Sequence, residues 1–375
     1  MIDPQDFIKH LQANGVEFFT GVPDSLLKEF CACLEHLPRA GHHIIGANEG
    51  GAVALALGYH LATRKVPLVY LQNSGLGNII NPLLSLADPE VYSVPLLLVI
   101  GWRGEPGVHD EPQHKKQGRV MLSMLEAMEI PHSILGPELV DPKAALADAL
   151  AHVRKMSAPY ALVIKKGTFQ SFAAPKVEKR DFPLSREEAI QQVIESLGER
   201  DVLISTTGMP SREVYEYRSK RGEGHQRDFL TVGGMGHASQ IALGIALQKP
   251  GRPVYCLDGD GALLMHMGAL AITGALKPRN FKHIIVNNGA HDSVGGQPTV
   301  AFDVDVPGIA HASGYESVFC AQTKQELQSR LAELQRSSGP SLLEVRVRCG
   351  ARKDIGRPVT TPSQNKNAFM DFVEN

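Results

Sequence analysis

Residues 252–264 read RPVYCLDGDGALL, and residues 66–78 read VPLVYLQNSGLGN. Each stretch is an apolar, β-rich run that ends in a polar turn with glycine and leads directly into an apolar, helix-like sequence. Glycine in such a turn lets the backbone approach another group closely. Each stretch therefore predicts a buried strand, a tight turn and a helix, in that order.

The two stretches belong to a longer internal repeat. At an offset of 186 residues, EGGAVALALGYHLA from Glu49 aligns with MGHASQIALGIALQ from Met235, and VPLLLVIGW aligns with KHIIVNN. A nearby offset aligns TGVPDSLL from Thr20 with TGMPSREV from Thr207. Because several matches share one register over roughly ninety residues, we predict two copies of one domain.

Near-continuous apolar strands alternate with helical patterns along the whole chain, as in VPLLLVIG, YALVIK, DVLIST and KHIIVNN. Strands of this kind indicate buried parallel sheets with helices on both faces. We predict an α/β fold with two homologous open parallel-sheet domains and no middle domain. The expected domains are residues 1–170 and 185–375, the second with a basic C-terminal tail, and a polar, proline-bearing linker covers residues 171–184.

Composition excludes several classes of protein. The 375 residues are 43% hydrophobic and 21% charged, with a net charge of −2, so a large core is expected and no general affinity for nucleic acid or an anionic membrane. No apolar run approaches ~20 residues, and MIDPQDFIKH lacks the pattern of a secretory signal. Five cysteines without a framework spacing favour a reduced, cytoplasmic protein. Cys31 and Cys33 are interpreted as buried small residues rather than a metal site.

The two copies differ at the carboxyl ends of their strands. The second copy has Asp260 and Asn288 where the first has Ser74 and Trp102, and Glu49 begins a helix in the first copy only. Ligands of open α/β sheets bind at this edge. We therefore expect each half to bind a different part of one ligand.

Asp260 and Asn288 offer a carboxylate and an amide oxygen, a pair that suits Mg²⁺ or Ca²⁺ better than zinc. Gly261 and Ala262 open the following helix, where free backbone N–H groups favour an anion. A metal next to a helix N-terminus predicts a diphosphate site. The alternative is that GDG is only a turn between a strand and a helix.

The stretch GDGALLMHMGALAITGALKPRNFKHIIVNNGA resembles the signature of the thiamine diphosphate enzymes. The resemblance implies that Asp260, Asn288 and the carbonyl of Ala290 hold Mg²⁺ on the diphosphate of the cofactor. It also implies a pyrimidine-binding domain followed by a diphosphate-binding domain of the same fold, which the repeat indicates independently.

The same resemblance assigns further contacts with thiamine diphosphate. Glu49 corresponds to the glutamate that hydrogen-bonds N1′ of the aminopyrimidine. Met235 corresponds to the bulky residue that forces the cofactor into a V, and the carbonyl of Gly233 to the acceptor for the 4′-amino group. The remaining predicted cofactor-binding residues are Asn73, Ser74, Thr207, Gly208, Gly261 and Ala262.

The short two-domain layout, with TGVPDSLL, LQNSGLGN, GWRGEPGVHDEPQHKKQGR and NNGAHDSVGGQPT, closely resembles the phosphonopyruvate decarboxylase family. That family implies non-oxidative decarboxylation of 3-phosphonopyruvate to phosphonoacetaldehyde and CO₂, through an ylide and an enamine of the cofactor, in phosphonate biosynthesis. A sulfopyruvate decarboxylase, or another 2-keto acid decarboxylase or carboligase, stays the alternative.

Two other classes fit less well. An NAD-dependent dehydrogenase needs G-x-G-x-x-G, which GDGALL does not match. A non-catalytic binding module would not explain why Glu49, Asp260 and Asn288 occur together.

The resemblance leaves the proton-transfer residues open. Asp24, His114 and His109 are the predicted catalytic residues besides Glu49, and His291 and Asp292 are further candidates. The predicted substrate-binding residues are Ser25, Arg103, Lys115 and His291.

A dianionic substrate would suit the basic residues that follow VPLLLVIG and those in the tail RVRCGARKDIGRPVTTPSQNK. The tail could also cover the site. Alternatively these basic residues only face solvent. The family further implies sites shared between the pyrimidine domain of one chain and the diphosphate domain of another. We therefore expect a homo-oligomer, at least a dimer.

Overall fold

The computed structural model describes residues 1–37, 42–139, 141–173 and 180–374. The chain divides into two compact units, Met1–Lys176 and Val177–Asn375. Residues 174–179 of the predicted linker lie outside the described residues, and the predicted domain boundaries stay a prediction.

The first unit is a six-stranded parallel sheet with the strand order β2-β1-β3-β4-β6-β5. A 3₁₀ turn, Asn73–Gly75, precedes the fourth helix, and a π-helical turn, Leu83–Ala87, follows it. The strands are β1 (Phe19–Gly21), β2 (His43–Ile45), β3 (Leu68–Gln72), β4 (Leu96–Gly101), β5 (His132–Leu135) and β6 (Pro159–Ile164). The helices are α1 (Pro4–Ala13), α2 (Lys28–Glu35), α3 (Glu49–Thr63), α4 (Leu76–Pro82), α5 (Pro112–Ala127) and α6 (Lys143–Met156).

The second unit contains another six-stranded parallel sheet, with the order β8-β7-β9-β10-β14-β13, and a separate two-stranded hairpin. The strands are β7 (Val202–Ser205), β8 (Asp228–Leu230), β9 (Val254–Gly259), β10 (Phe281–Asn287), β11 (Ala290–His291), β12 (Gln297–Pro298), β13 (Ser317–Ala321) and β14 (Ser341–Arg346). The helices are α7 (Arg186–Ser196), α8 (Met209–Lys220), α9 (Ala238–Gln248), α10 (Asp260–Met265), α11 (Ala269–Leu276), α12 (Val306–Ala312), α13 (Lys324–Arg336) and α14 (Pro362–Glu374).

The two sheets have the same topology. β1 corresponds to β7, β3 to β9 and β4 to β10, and the strand order then matches at every position. The predicted fold class, two homologous open parallel-sheet domains, is confirmed. The hairpin of β11 and β12 belongs to the second unit, and the repeat did not predict it.

Both sheets are buried on both faces, as parallel sheets require. All six residues of β4 and all seven of β10 are buried. Separate apolar clusters cover the two faces of each sheet. Cys31 and Cys33 lie in one of these clusters as free thiols. Each buried Leu, Ile, Val or Phe side chain contributes roughly 1.5–3 kcal/mol, so these clusters stabilise each unit.

In the first sheet, β2 lies on one side of β1 and β3 lies on the other, so the order of the strands reverses at β1. The order reverses in the same way at β7, which lies between β8 and β9. The carboxyl ends of strands at such a reversal form the binding crevice of open α/β sheets. Asp24 follows β1 and Asp260 follows β9, so both lie at this edge. Within the described ranges, no helix is both long enough and apolar enough to cross a bilayer.

Candidate active site

Asp260 is the first residue of α10 and lies buried where β9 ends. The Thr299 hydroxyl donates a hydrogen bond to Oδ2 of Asp260, and the backbone N–H groups of Gly261 and Asn288 also favour the ionised carboxylate. Burial nevertheless raises the pKa of Asp260 to about 6. A cation beside this carboxylate would offset the cost of burying its charge.

Asn288 lies directly after β10 and is buried, with both ends of its amide engaged. Its Nδ2 donates to Oδ2 of Asp292 at 2.7 Å, and its Oδ1 accepts from the Ala290 N–H at 3.1 Å. Ala290 faces Pro298 in the hairpin, and the neighbouring bond runs from the Thr299 N–H to the Gly289 carbonyl at 2.9 Å. Ala290 and Pro298 therefore form a pair that exchanges no hydrogen bond, and the Ala290 carbonyl points away from β12.

The predicted metal ligands thus gather at one place. Thr299 joins the hairpin to Asp260, and the backbone of Asn288 lies beside the same carboxylate. A carboxylate, an amide oxygen and a backbone carbonyl form an all-oxygen set that suits Mg²⁺. The chemistry of these residues therefore fits the predicted metal.

His291 lies over the first turn of α10. A Cβ on Gly261 would come within 2.9 Å of the His291 Cε1 atom, so glycine at 261 permits this close approach. Burial lowers the pKa of His291 to about 4, which leaves its imidazole neutral at pH 7. The structure therefore places His291 beside the predicted metal ligands as a neutral donor or acceptor.

The other predicted cofactor contacts of the second unit lie in loops of unusual backbone conformation. Gly208 has a φ of +94° at the start of α8, and Ser293 Oγ lies 2.6 Å from the position that a Cβ would occupy there. Met235 is half-buried between two glycines with positive φ, Gly234 and Gly236. Contact of Thr207, Gly208, Gly233 and Met235 with the cofactor stays a prediction.

Glu49 is the first residue of α3 and is buried. Asn48 caps this helix by accepting from the Gly51 N–H at 2.8 Å. Asn78 Nδ2 donates to Oε2 of Glu49 at 2.8 Å, and the other carboxylate oxygen lies against Gly75. A Cβ at residue 75 would be 2.3 Å from Oε1, so only glycine leaves room for this position of the carboxylate.

Asp24 is fully buried after β1 and accepts from the Leu26 N–H at 3.1 Å through Oδ2. Among the residues that the structure describes, its Oδ1 has no hydrogen-bond partner. Burial raises the pKa of Asp24 to about 6, although the nearby Arg103 opposes the shift. Gly101 makes room for it, since a Cβ there would be 2.0 Å from Oδ2.

Arg103 follows β4 and is held by two neighbours. Its Nε donates to Oδ2 of Asp110 at 2.8 Å, its Nη2 to Oδ1 of Asp110, and its Nη1 to the Ser25 hydroxyl at 2.7 Å. Burial acts to raise the pKa of Asp110, but the bonds from Arg103 and from the N–H groups of Glu111 and Gly104 hold it well below its usual range. The predicted substrate arginine is therefore already paired with a carboxylate.

Other predicted residues of the first unit have different surroundings. His114 is buried in α5, and burial and Arg103 lower its pKa to about 4. His109, Lys115 and Ser74 are exposed. The Asn73 amide donates to the Arg103 carbonyl at 2.7 Å and accepts from its N–H at 3.1 Å, so it holds the loop after β4. Cofactor contacts of Asn73 and Ser74 stay predictions.

Comparison with protein families follows the same division of the chain. Residues 4–127 match the model described as thiamine pyrophosphate enzyme, N-terminal TPP binding domain. Residues 206–345 match the model described as thiamine pyrophosphate enzyme, C-terminal TPP binding domain. The chain belongs to the thiamine pyrophosphate enzymes.

Three relatives of this thiamine pyrophosphate enzyme illustrate the similarity. A phosphonopyruvate decarboxylase of Streptomyces viridochromogenes is 34% identical over 388 residues, covering 100% of this chain and 95% of that protein. One of Streptomyces hygroscopicus is 33% identical over 389 residues, covering 100% of this chain and 94% of that protein. The sulfopyruvate decarboxylase subunit beta of Methanocaldococcus jannaschii is 34% identical over 134 residues, covering 36% of this chain and 68% of that subunit.

Several residues of this thiamine pyrophosphate enzyme site were not predicted from the sequence. Asp110 binds Arg103, Thr299 binds Asp260, and Asn78 binds Glu49. Gly75 could have been found, because the repeat aligns it with Gly261. Both glycines leave room for a side chain of the site, Glu49 beside Gly75 and His291 beside Gly261. The three partner side chains carried no comparable signal, since they lie in loops or on helices without a motif of their own.

Proposed function

We propose that this thiamine pyrophosphate enzyme is a carboxy-lyase that converts 3-phosphonopyruvate into phosphonoacetaldehyde and CO₂ in phosphonate biosynthesis. One observation carries the proposal: similarity to phosphonopyruvate decarboxylases extends over the full length of this chain, at 34% and 33% identity. Glu49, Asp260 and Asn288 support it, because each lies buried at the carboxyl edge of its sheet.

The second unit supplies the proposed diphosphate and metal site. Asp260, Asn288 and the Ala290 carbonyl would hold Mg²⁺, which in turn would bind the diphosphate. Thiamine diphosphate, when bound, supplies the electron sink for loss of CO₂. The protein residues act by binding and orientation, and Gly261 leaves space for the close approach of His291.

The first unit supplies the proposed proton chemistry at the pyrimidine. Glu49 would hydrogen-bond N1′ and hold a proton there. Asn78 on one carboxylate oxygen and Gly75 beside the other keep the carboxylate in one position. Such positioning is what makes a side chain effective in proton transfer.

Asp24 is the proposed proton donor to the product. Its pKa of about 6 lies close to neutral pH, where a general acid works best. His114 would act as a neutral imidazole, because its pKa of about 4 is well below neutral pH. His109 is exposed in this chain and stays a prediction.

Arg103 and Ser25 are the proposed contacts with the substrate anion, together with Lys115 and His291. Three donors of Arg103 are already bound to Asp110 and Ser25, so it would attract an anion mainly through its charge. Ser25 would present its hydroxyl from a fixed position.

Self-association is proposed from exposed apolar surface. Three helices each carry two large apolar side chains that are more than a third exposed, and contact with another chain would cover such surface. These residues are Leu55 and Leu61 on α3, Ile241 and Leu247 on α9, and Ile272 and Leu276 on α11. A second copy of the chain is the proposed partner, in a homo-oligomer that shares its sites between chains.

The second candidate is sulfopyruvate decarboxylation. The relative named as a sulfopyruvate decarboxylase subunit supports it, although that similarity covers only 36% of this chain. The substrates differ in the anionic group on C3, and an arginine suits either group.

A substrate comparison tests the proposal. With Mg²⁺ and thiamine diphosphate at saturation, we expect kcat/KM for phosphonopyruvate to exceed that for sulfopyruvate and pyruvate by at least about tenfold. Aldehyde formation would be measured by a coupled alcohol dehydrogenase, with Glu49→Gln as background. Equal or higher kcat/KM with sulfopyruvate would favour the second candidate, and no aldehyde from any of the three would contradict both.

A further inference from the structure

Asp292 lies four residues after Asn288 and accepts hydrogen bonds from several directions. Its Oδ2 accepts from Arg186 Nη1 at 2.8 Å, Asn288 Nδ2 at 2.7 Å and the Gly350 N–H at 3.0 Å. Its Oδ1 accepts from the Cys349 thiol at 3.0 Å. One carboxylate thus joins the residue after β10, helix α7 and the segment after β14.

This carboxylate belongs to a buried ionic cluster. Arg186 also donates to Glu213, through Nε at 2.9 Å and Nη2 at 3.0 Å. The side chains of Arg186, Glu213 and Asp292 are 5%, 1% and 10% exposed. Buried ion pairs of this kind add little net stability compared with apolar packing, so their presence at a site points to positioning.

The Oδ2 atom of Asp292 that Asn288 contacts also accepts from two groups that can only donate, Arg186 Nη1 and the Gly350 N–H, so it acts as an acceptor. The Asn288 amide must therefore turn its NH₂ group toward Asp292. Its oxygen then points to the other side, where the Ala290 N–H also contacts it. Only the amide oxygen can bind a hard cation, so the orientation of this amide decides whether Asn288 is a metal ligand.

We propose that Asp292 is a positioning residue of the metal site, which holds the Asn288 amide with its oxygen toward the cation. The inference rests on the proposed function, since it assumes that Asn288 binds Mg²⁺. Residues that orient a metal ligand typically contribute about 10–100-fold to metal affinity. Asp292 itself does not touch the metal.

The first test is Asp292→Asn, with metal affinity as the readout. In the presence of thiamine diphosphate, the dissociation constant for Mn²⁺ would be measured from the electron paramagnetic resonance signal of the free ion, and that for Mg²⁺ by competition. We expect both constants to rise about 10–100-fold, with activity recovered at high Mg²⁺. Asp303→Asn, which removes an exposed carboxylate of the same unit, is the matched control and should bind metal as the wild type does.

A rescue variant separates positioning from a merely structural role. In Asn288→Asp with Asp292→Asn, residue 288 carries a carboxylate, which presents an oxygen to the metal in either orientation. The residue at 292 then donates the hydrogen bond that it previously accepted. We expect the metal dissociation constant of this double variant to return to within about threefold of the wild type.

The outcomes are distinguishable. A dissociation constant for Asp292→Asn equal to that of the wild type would overturn the inference alone. So would a double variant that binds metal no better than Asp292→Asn. If the wild-type chain binds no metal with thiamine diphosphate, both the inference and the proposed function are wrong. If Asp292→Asn does not fold, the double variant is compared with the wild type, and a dissociation constant more than about tenfold higher would overturn the inference.

Discussion

Two carboxylates share an unusual state, one in each unit. Asp24 and Asp260 are both buried where a strand ends, and burial raises the pKa of each to about 6. Hydrogen bonds from the Leu26 N–H and the Thr299 hydroxyl do not fully offset the lost hydration. Buried carboxylates with a raised pKa are typical of sites that bind a proton or a cation.

The raised pKa of Asp24 predicts a pH-dependent loss of stability. Between its ordinary value of 3.8 and about 6, the folded chain binds more protons than the unfolded chain, so stability falls as pH rises through this window. In Asp24→Asn this cost is absent. The free energy of unfolding of the variant relative to the wild type should therefore rise by a total of about 3 kcal/mol between pH 4 and pH 6 and then stay level, and the melting temperature should follow it.

Thermal unfolding from pH 4 to pH 8 would measure this difference. Asp148→Asn, at an exposed position of α6, controls for the loss of one negative charge. A gap between Asp24→Asn and the wild type that stays constant over the whole range would contradict the assignment.

Individual residues were predictable to different degrees. Asp260 and Asn288 could be identified because each follows an apolar strand in a recognisable motif. Arg103 was correctly placed after β4, but its pairing with Asp110 was not expected. The pairing depends on how the loop between β4 and α5 folds, and loop conformation leaves no periodic pattern in a sequence.

The start of α3 and the turn before α4 meet at the carboxylate of Glu49. Glu49 begins α3, and Gly75 ends the 3₁₀ turn against its carboxylate. The backbone of Gly75 has a φ of −80° and a ψ of −8°, which any residue can adopt. The glycine is therefore required by space and not by backbone conformation.

This arrangement predicts a separation of stability from activity in Gly75→Ala. The added Cβ would displace the flexible end of Glu49, which costs little stability but moves the carboxylate away from its position. We expect kcat to fall by roughly 100-fold with a melting temperature close to that of the wild type. Steady-state kinetics and thermal unfolding measure the two effects.

Gly77→Ala is the matched control, two residues further along. A Cβ at Gly77 meets no atom of the described part of the chain within 4 Å, so this variant should keep its activity. Equal activity of Gly75→Ala and the wild type would show that the position of Glu49 is not critical.

The chain as a whole contains one fold twice, and the predicted cofactor contacts are divided between the two copies. The strand order is the same in both units, yet Glu49 belongs to the first and Asp260 to the second. Duplication of a scaffold with divergence at one edge explains this division. It also explains why the chain needs no further domain to provide both sets of predicted cofactor contacts.

Shared sites predict complementation between inactive variants. Glu49→Gln and Asp260→Asn should each be inactive alone. If each site combines Glu49 of one chain with Asp260 of another, co-expression yields mixed dimers with one intact site. Statistical assembly then restores about a quarter of the wild-type activity.

Decarboxylation by the unselected mixture of dimers, purified from the co-expression through one tag that both variants carry, would measure this recovery. Mixing the separately purified proteins under conditions that prevent subunit exchange is the control. Activity no higher than the sum of the two single variants would show that each chain forms its sites alone.

The sequence by itself determined the duplicated α/β fold and predicted the principal site residues. Strands and helices follow from local periodicity, and Glu49, Asp260 and Asn288 stand in motifs with fixed spacing. Only the tertiary structure decided which partners orient them. Asn78 donates a hydrogen bond to Glu49, and Arg186 reaches Asp292 across 106 positions of the chain. Such contacts depend on how loops and helices pack in space, and no local pattern encodes that packing.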